Sequence, residues 1–194
     1  MADAPTTAHP RITTCDPVAG YPPQIGRYVA QLHEVRRFLE GEVAGLTVAQ
    51  IDWHPDAQTE SIGTLLLHLD AVEWSWMHED LLGVPSAAYP GDWAEAMPIR
   101  QGVPQVSGRP VDRYLQQLAA TRAQTLQILC DFTDADLVRL VGEAEVPPGV
   151  EARSELYTVD WILWHVIEHE AMHVGQIELL RRLGPARSDQ AAQG

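Results

Sequence analysis

Between Thr158 and Arg182 the chain carries an apolar stripe at helical spacing, Ile162, Val166, Ile177 and Leu180, and two histidines, His169 and His173, fall inside it. Nothing else in the sequence narrows the fold as much. Imidazoles on the buried face of a helix are costly unless a neighbour supplies hydrogen bonds or the rings share a metal ion. Residues four apart on a helix sit one above the other, about 6 Å between Cβ atoms, so His169 and His173 can converge on one ion. His165, one turn earlier, lies at the flank of the stripe. Thr158 is a natural N-cap, Arg181 and Arg182 fill the last turn, and Gly184-Pro185 stops the helix.

Three further helical patterns precede this one. Ile25, Tyr28, Val29, Leu32, Val35 and Leu39 recur at helical spacing, as do Leu65, Leu66, Leu69, Val72 and Trp76. The four main helices are expected near 22–44, 61–83, 110–131 and 158–183, with Thr59 or Ser61 capping the second and Pro110 in the first turn of the third. Thr47 to Ile51 reads as an added short turn, and Thr133 to Asp136 as the capped start of another short helix. The segment from Val84 to Gly108 carries Pro85, Pro90, Pro98 and Pro104, and a loop of this length is expected to cover a site. Gly142 to Gly149 is a second loop. No strand alternation or internal repeat stands out. The fold class is therefore all-α, an antiparallel four-helix bundle with long loops. Residues 1–20 read as a mobile leader, 21–185 as the bundle domain and 186–194 as a C-terminal tail.

Composition removes several function classes. With a net charge of -14 the chain is a poor match for nucleic acid, whose binding draws on Lys and Arg neutralising phosphates. No apolar run approaches the roughly 20 residues that span a bilayer, and Met1 to Gly20 lacks the blocks of a signal peptide, so no membrane partner and a cytoplasmic location are expected. The 2 cysteines, Cys15 and Cys130, form no CxxC and no disulfide framework. Cys130 reads as a buried small apolar residue.

A metal site that keeps a position open for substrate needs three protein ligands. No histidine follows His173, so the third comes from another helix. His68 is the best candidate: it sits mid-helix beside the apolar face, whereas His78 lies near the end of the same helix. His9, His33 and His54 read as structural or solvent-facing. His169-Glu170-Ala171-Met172-His173 also matches H-E-x-x-H, in which the glutamate of a metalloprotease is the general base. That reading is weaker, because Gln176 and Leu179 replace the Gly and His of the elongated motif and about 100° of helix rotation turns Glu170 away from His169. A di-iron bundle is weaker still, since only one E-x-x-H is present. The catalytic base is left unassigned.

The stretch from Thr158 to Ile177, with Gly63 to Trp76, resembles the DinB-like (DNA-damage-inducible) four-helix-bundle metalloprotein superfamily over roughly residues 22–185. That superfamily includes the bacillithiol and mycothiol S-transferases and the mycothiol-dependent maleylpyruvate isomerases. The resemblance implies a three-histidine site of His68, His169 and His173 holding one divalent transition metal, zinc or nickel foremost. It also implies a low-molecular-weight thiol cosubstrate, a small-molecule substrate and a homodimer. Val174 stands where a basic residue is common in the final motif. The function expected is a metal-dependent small-molecule enzyme, thiol transfer ahead of hydrolysis. A non-catalytic metal-binding stress-response bundle is the alternative, and a helical interaction module with a fortuitous histidine cluster comes third.

Overall fold

The computed structural model describes residues 14–97, 105–141 and 156–185. Helix α1 spans Pro23–Val43, with proline at its first position, where a missing N–H costs nothing. It has no side-chain cap of its own. Asp134, far along the chain, accepts instead from the Gln24 and Ile25 amides at 3.0 and 3.1 Å. Helix α2 is the single turn Val48–Ile51, closed by a capping box between Thr47 and Gln50. Helix α3 spans Ile62–Trp74 behind the N-cap Ser61, and every one of its residues is buried, the mark of a central helix. It then widens into a π-helical segment, Ser75–Asp80, in which the Leu81 amide reaches the Trp76 carbonyl five residues back at 3.1 Å.

A 3₁₀ turn at Ser86–Ala88 and the short helix α4, Trp93–Ala96, lie in the segment expected as irregular; residues 98–104 of it fall outside the described residues. Helix α5 spans Val111–Leu129, with Pro110 at the N-cap rather than inside the first turn. A 3₁₀ turn at Asp134–Val138 follows, capped by Thr133. Strand β1, Leu140–Val141, then pairs antiparallel with β2, Tyr157–Thr158, a small ladder the sequence pattern did not suggest. The loop expected at 142–149 lies outside the described residues, as do residues 1–13 of the leader and the tail at 186–194. Helix α6 spans Val159–Leu183, its Thr158 side chain accepting from the Trp161 amide. Among the described residues no helix is long and apolar enough to cross a membrane.

Side-chain pairings give the helix directions. Tyr28 meets Asp160, Arg36 meets Glu170, and Glu42 meets Arg181, so α1 and α6 run the same way. Asp70 pairs with Gln117 and Glu73 with Arg122, so α3 and α5 also run together. His68 lies against His173 and Trp76 against Trp161, so α3 opposes α6. The all-α bundle is thus two parallel pairs set antiparallel to each other. Two parallel neighbours in sequence need a connection as long as the bundle, and the segment between α3 and α5 is that crossover. It is tied to α3 by Tyr89, which donates to Asp70 Oδ2 at 2.5 Å, and by Gln105, which accepts from the Ser61 amide at 2.8 Å.

Close approach of α3 and α5 requires Gly63. A Cβ there would lie 2.8 Å from the Tyr114 hydroxyl and 3.0 Å from Ile51 Cγ2. Gly63→Ala is expected to lower stability by about 1–3 kcal/mol through overpacking. A thermal melt checks this, and an unchanged Tm would mean that Tyr114 can step aside.

Candidate metal centre

Tyr157 on β2 and Trp161, His165, His169 and His173 on α6 follow one another at intervals of four, a line of rings that climbs one side of the helix. The upper two are the histidines of the apolar stripe. His173 is buried and His169 half-buried, their ring centroids 4.5 Å apart and their Nε2 atoms 3.1 Å apart. From α3, buried His68 places its ring 5.2 Å from His169 and 5.4 Å from His173. One ring nitrogen from each of the three lies within 4.8 Å of the others. The structure therefore brings together His68, His169 and His173, the three expected from the sequence.

The outer nitrogens fix the tautomers. A carbonyl can only accept, so His68 Nδ1 donates to the Ala96 oxygen at 3.1 Å, and Nε2 is the nitrogen that could ligate an ion. His173 Nδ1 donates to Gln176 Oε1 at 2.5 Å, and its Nε2 faces His169. Such outer hydrogen bonds orient ligating imidazoles and raise their basicity. An ion bound about 2.1 Å from each nitrogen sets neighbouring nitrogens about 3.0–3.6 Å apart. The His169–His173 pair already has that spacing. Neutral imidazoles suit zinc, nickel, copper or iron and are poor ligands for calcium or magnesium. The donor set fits one divalent transition ion. The backing of His68 by Ala96 gives the crossover segment its place at the site: α4 closes the centre from behind.

Glu170 has a different task from the one the H-E-x-x-H pattern offers. It is buried and pairs with Arg36 Nε at 2.6 Å and with Arg122 Nη2 at 2.7 Å. The same two arginines hold Glu73, at 3.0 Å from Arg36 and 2.6 Å from Arg122. Leftover donors reach backbone carbonyls: Arg36 to Leu118 at 2.9 Å and Arg122 to Leu32 at 2.5 Å. Thr125 adds a bond to Glu73 at 2.8 Å. Burial alone pushes the Glu73 carboxyl up, but Arg122 and Arg36 outweigh it and hold it below the usual range. Burial likewise opposes the charge on Arg122, and Glu73 with Glu170 raises its pKa regardless. A carboxylate committed to two arginines in this way is no general base, and the protease reading falls with it. The quartet joins α1, α3, α5 and α6 in one layer that separates two apolar clusters, one around Leu66 and Leu118, the other around Leu32 and Ile162.

Other candidates fall elsewhere. His165 stands outside the cluster, its ring 5.7 Å from His169 and its Nδ1 3.3 Å from Glu168. His78 stacks on Trp74, rings 4.8 Å apart, and His54 turns its Nδ1 to the Asp56 carbonyl at 2.6 Å. His33 is on the exposed side of α1, its pKa lowered by partial burial and then by Arg122. His9 lies outside the described residues. Cys130, expected in the core, is exposed. Leu129 takes the last core position of α5, and the next residue points about 100° away.

Fold and site together define the class, an all-α bundle of the DinB-like type that gathers three imidazoles between two antiparallel helices. The chain belongs to the mycothiol-S-transferase family, whose model matches residues 28–184. A crystal structure of a conserved protein from Enterococcus faecalis has a TM-score of 0.56 against it, at 21% identity, covering 81% of this chain and 94% of that one. At that identity the likeness speaks for the fold. No curated protein matches the chain.

Proposed function

We propose that this protein is a divalent-metal-dependent transferase that joins a low-molecular-weight thiol, of the mycothiol type that gives the family its name, to an electrophilic small molecule. The observation that carries the reading is the cluster of three imidazoles, His68, His169 and His173, two of them with the tautomer fixed by an outer hydrogen bond and the third, His169, half-buried. A divalent ion held there keeps its full charge, because neutral imidazoles add none, and favours the thiolate form of a thiol near neutral pH. The chain's own part is to orient. Ala96 and Gln176 hold two rings in the ligating tautomer, and the Arg36–Glu170 pair behind α6 fixes the helix that presents His169 and His173. In the transfer the sulfur–carbon bond forms, the leaving group departs with the bonding pair and the thiol proton passes to solvent. No oxidant or reductant is consumed.

Purified protein is expected to carry one divalent transition ion per chain. After cobalt substitution, its visible spectrum should shift when a small thiol is added, because three protein ligands leave at least one position to exchange. A spectrum indifferent to thiols and to small anions would replace the transferase with a closed, non-catalytic metal site.

A further inference from the structure

Helix α4 is a single turn, Trp93–Ala96, and a helix that short makes too few internal hydrogen bonds to hold its own place. Asp92 closes it: its side chain accepts from the Glu95 amide at 3.2 Å and its carbonyl from the Ala96 amide at 3.1 Å. The seat of the turn against the bundle comes from its neighbours. Ala96 is buried in the apolar cluster around Leu66 and Leu118, and its carbonyl is the acceptor of His68 Nδ1. One residue earlier, Glu95 brackets Arg109 Nη2 with both carboxylate oxygens, at 2.9 and 2.8 Å.

The two ends of that ion pair differ in rigidity. Arg109 stands directly before Pro110, the N-cap of α5. It follows Gly108, whose φ of 77° turns the chain and whose amide donates to Asp52 Oδ2 at 2.8 Å. Arg109 is therefore rooted in a fixed part of the bundle, whereas Glu95 rides on an isolated turn inside the crossover. With side chains 40% and 31% exposed, the pair adds little to the stability of the whole fold. Its leverage is local. A displacement of about 1 Å away from the ring takes the Ala96 carbonyl out of hydrogen-bond range of His68.

We infer that Arg109 and Glu95 are positioning residues of the metal centre: their ion pair seats α4 so that the Ala96 carbonyl holds the Nδ1–H of His68 and leaves Nε2 to the ion. The assignment rests on His68 being a ligand and deepens that reading, because it names what keeps the ring in its ligating tautomer. A ring nitrogen carries the proton that its hydrogen-bond partner selects. With the pair broken, the His68 ring stays between α3 and α6 but loses the acceptor that makes the selection. Part of the molecules then present a protonated Nε2, and affinity falls.

Zinc affinity, measured by competition with a chromophoric chelator, tests the seat. Arg109→Met is expected to weaken binding about tenfold, the low end of the range for losing a partner behind a ligand. Glu95→Gln should lose less, since one acceptor oxygen remains, and Arg109→Lys should retain most, since a single nitrogen makes both contacts. Arg113→Met removes the same charge one turn along α5 and should bind as the parent does. Thermal melts should stay near the parent throughout. A second readout needs no metal. Nitrogen-15 correlation spectra of the metal-free protein at mildly alkaline pH, with His68 assigned by its loss in His68→Asn, should show Nδ1–H in the parent and a mixture with Nε2–H in Arg109→Met. Should the methionine variant not fold, Glu95→Gln carries both measurements. Parent-like zinc affinity and an unchanged His68 tautomer in the folded variants, or an equal loss in Arg113→Met, would overturn the inference. The two readings fail separately. A His68 tautomer that shifts with Arg109, in a protein that binds no zinc, keeps the seat and removes the ligand. Zinc binding that needs His68 and ignores Arg109 and Glu95 keeps the ligand and removes the seat.

Discussion

Replacing His169 or His173 with alanine is expected to abolish stoichiometric metal binding, and His68→Ala to do the same, while His165→Ala leaves the metal in place. The three rings lie within 4.8 Å of one another through their ligand nitrogens, and with one removed the remaining pair cannot enclose an ion. Loss of a hydrogen bond behind a ligand typically costs about 10–100-fold in affinity, and loss of the ligand itself costs more. Gln176→Ala therefore belongs between the two levels: it removes the acceptor that holds the His173 tautomer, and affinity should fall within that 10–100-fold range. Metal analysis after dialysis, with circular dichroism to show that the bundle persists, reads the whole series. A His169→Ala protein that keeps one equivalent of metal, or a His165→Ala protein that loses it, would displace the ligand assignment.

What the sequence disclosed follows a physical division. Local signals were legible. Thr158 and Gly184 bracket α6 because capping chemistry acts within one turn, and His169 with His173 is visible because both sit on one face of one helix. His68 could be found because a histidine in the run Leu65-Leu66-Leu67-His68-Leu69 has few solvated positions available. The charge quartet was not legible, since its members lie on four helices and a lone charge on a helix ordinarily marks the solvated face. Two hints existed. Glu73 stands in a run that is buried all round, and Arg36 falls at a stripe position between Leu32 and Leu39. The π-helical segment leaves no mark, because Trp76 fits the period of an α-helix continued to Leu82. The pairing of α1 with α6 in one direction is likewise a property of the assembled bundle. Only the length of the segment before Gly108 foreshadowed it.

Arg122→Met is the substitution expected to cost most stability, about 3–5 kcal/mol, the usual effect of breaking a buried ion pair from one side. Against a typical total of about 5–15 kcal/mol the variant would fold only marginally. The reason is the arithmetic of the layer. Two arginines and two glutamates, with exposed fractions of 9% and 6% against 3% and 3%, neutralise one another where no water can. Removing Arg122 leaves Glu73 and Glu170 sharing Arg36, and withdraws a donor from the Leu32 carbonyl as well. Removing charge in balance should hurt less, so Arg122→Met combined with Glu73→Leu is expected to cost less than the two single changes summed. The acid limb gives an independent reading. Glu73 is held below the ordinary glutamate value of about 4.3, so between its folded and unfolded values the unfolded chain binds the extra proton. Its contribution is therefore complete above that ordinary value and is lost as pH falls through the folded one. Without Arg122 the folded carboxyl titrates closer to its unfolded value, so the share of stability that this group loses on acidification should shrink, and the acid limb should be shallower than in the parent. Urea denaturation at neutral pH and across the acid limb measures both effects. An Arg122→Met protein within about 1 kcal/mol of the parent, with an equally steep acid limb, would mean that the layer is solvated and the four-helix ionic junction is not what holds α6 in register.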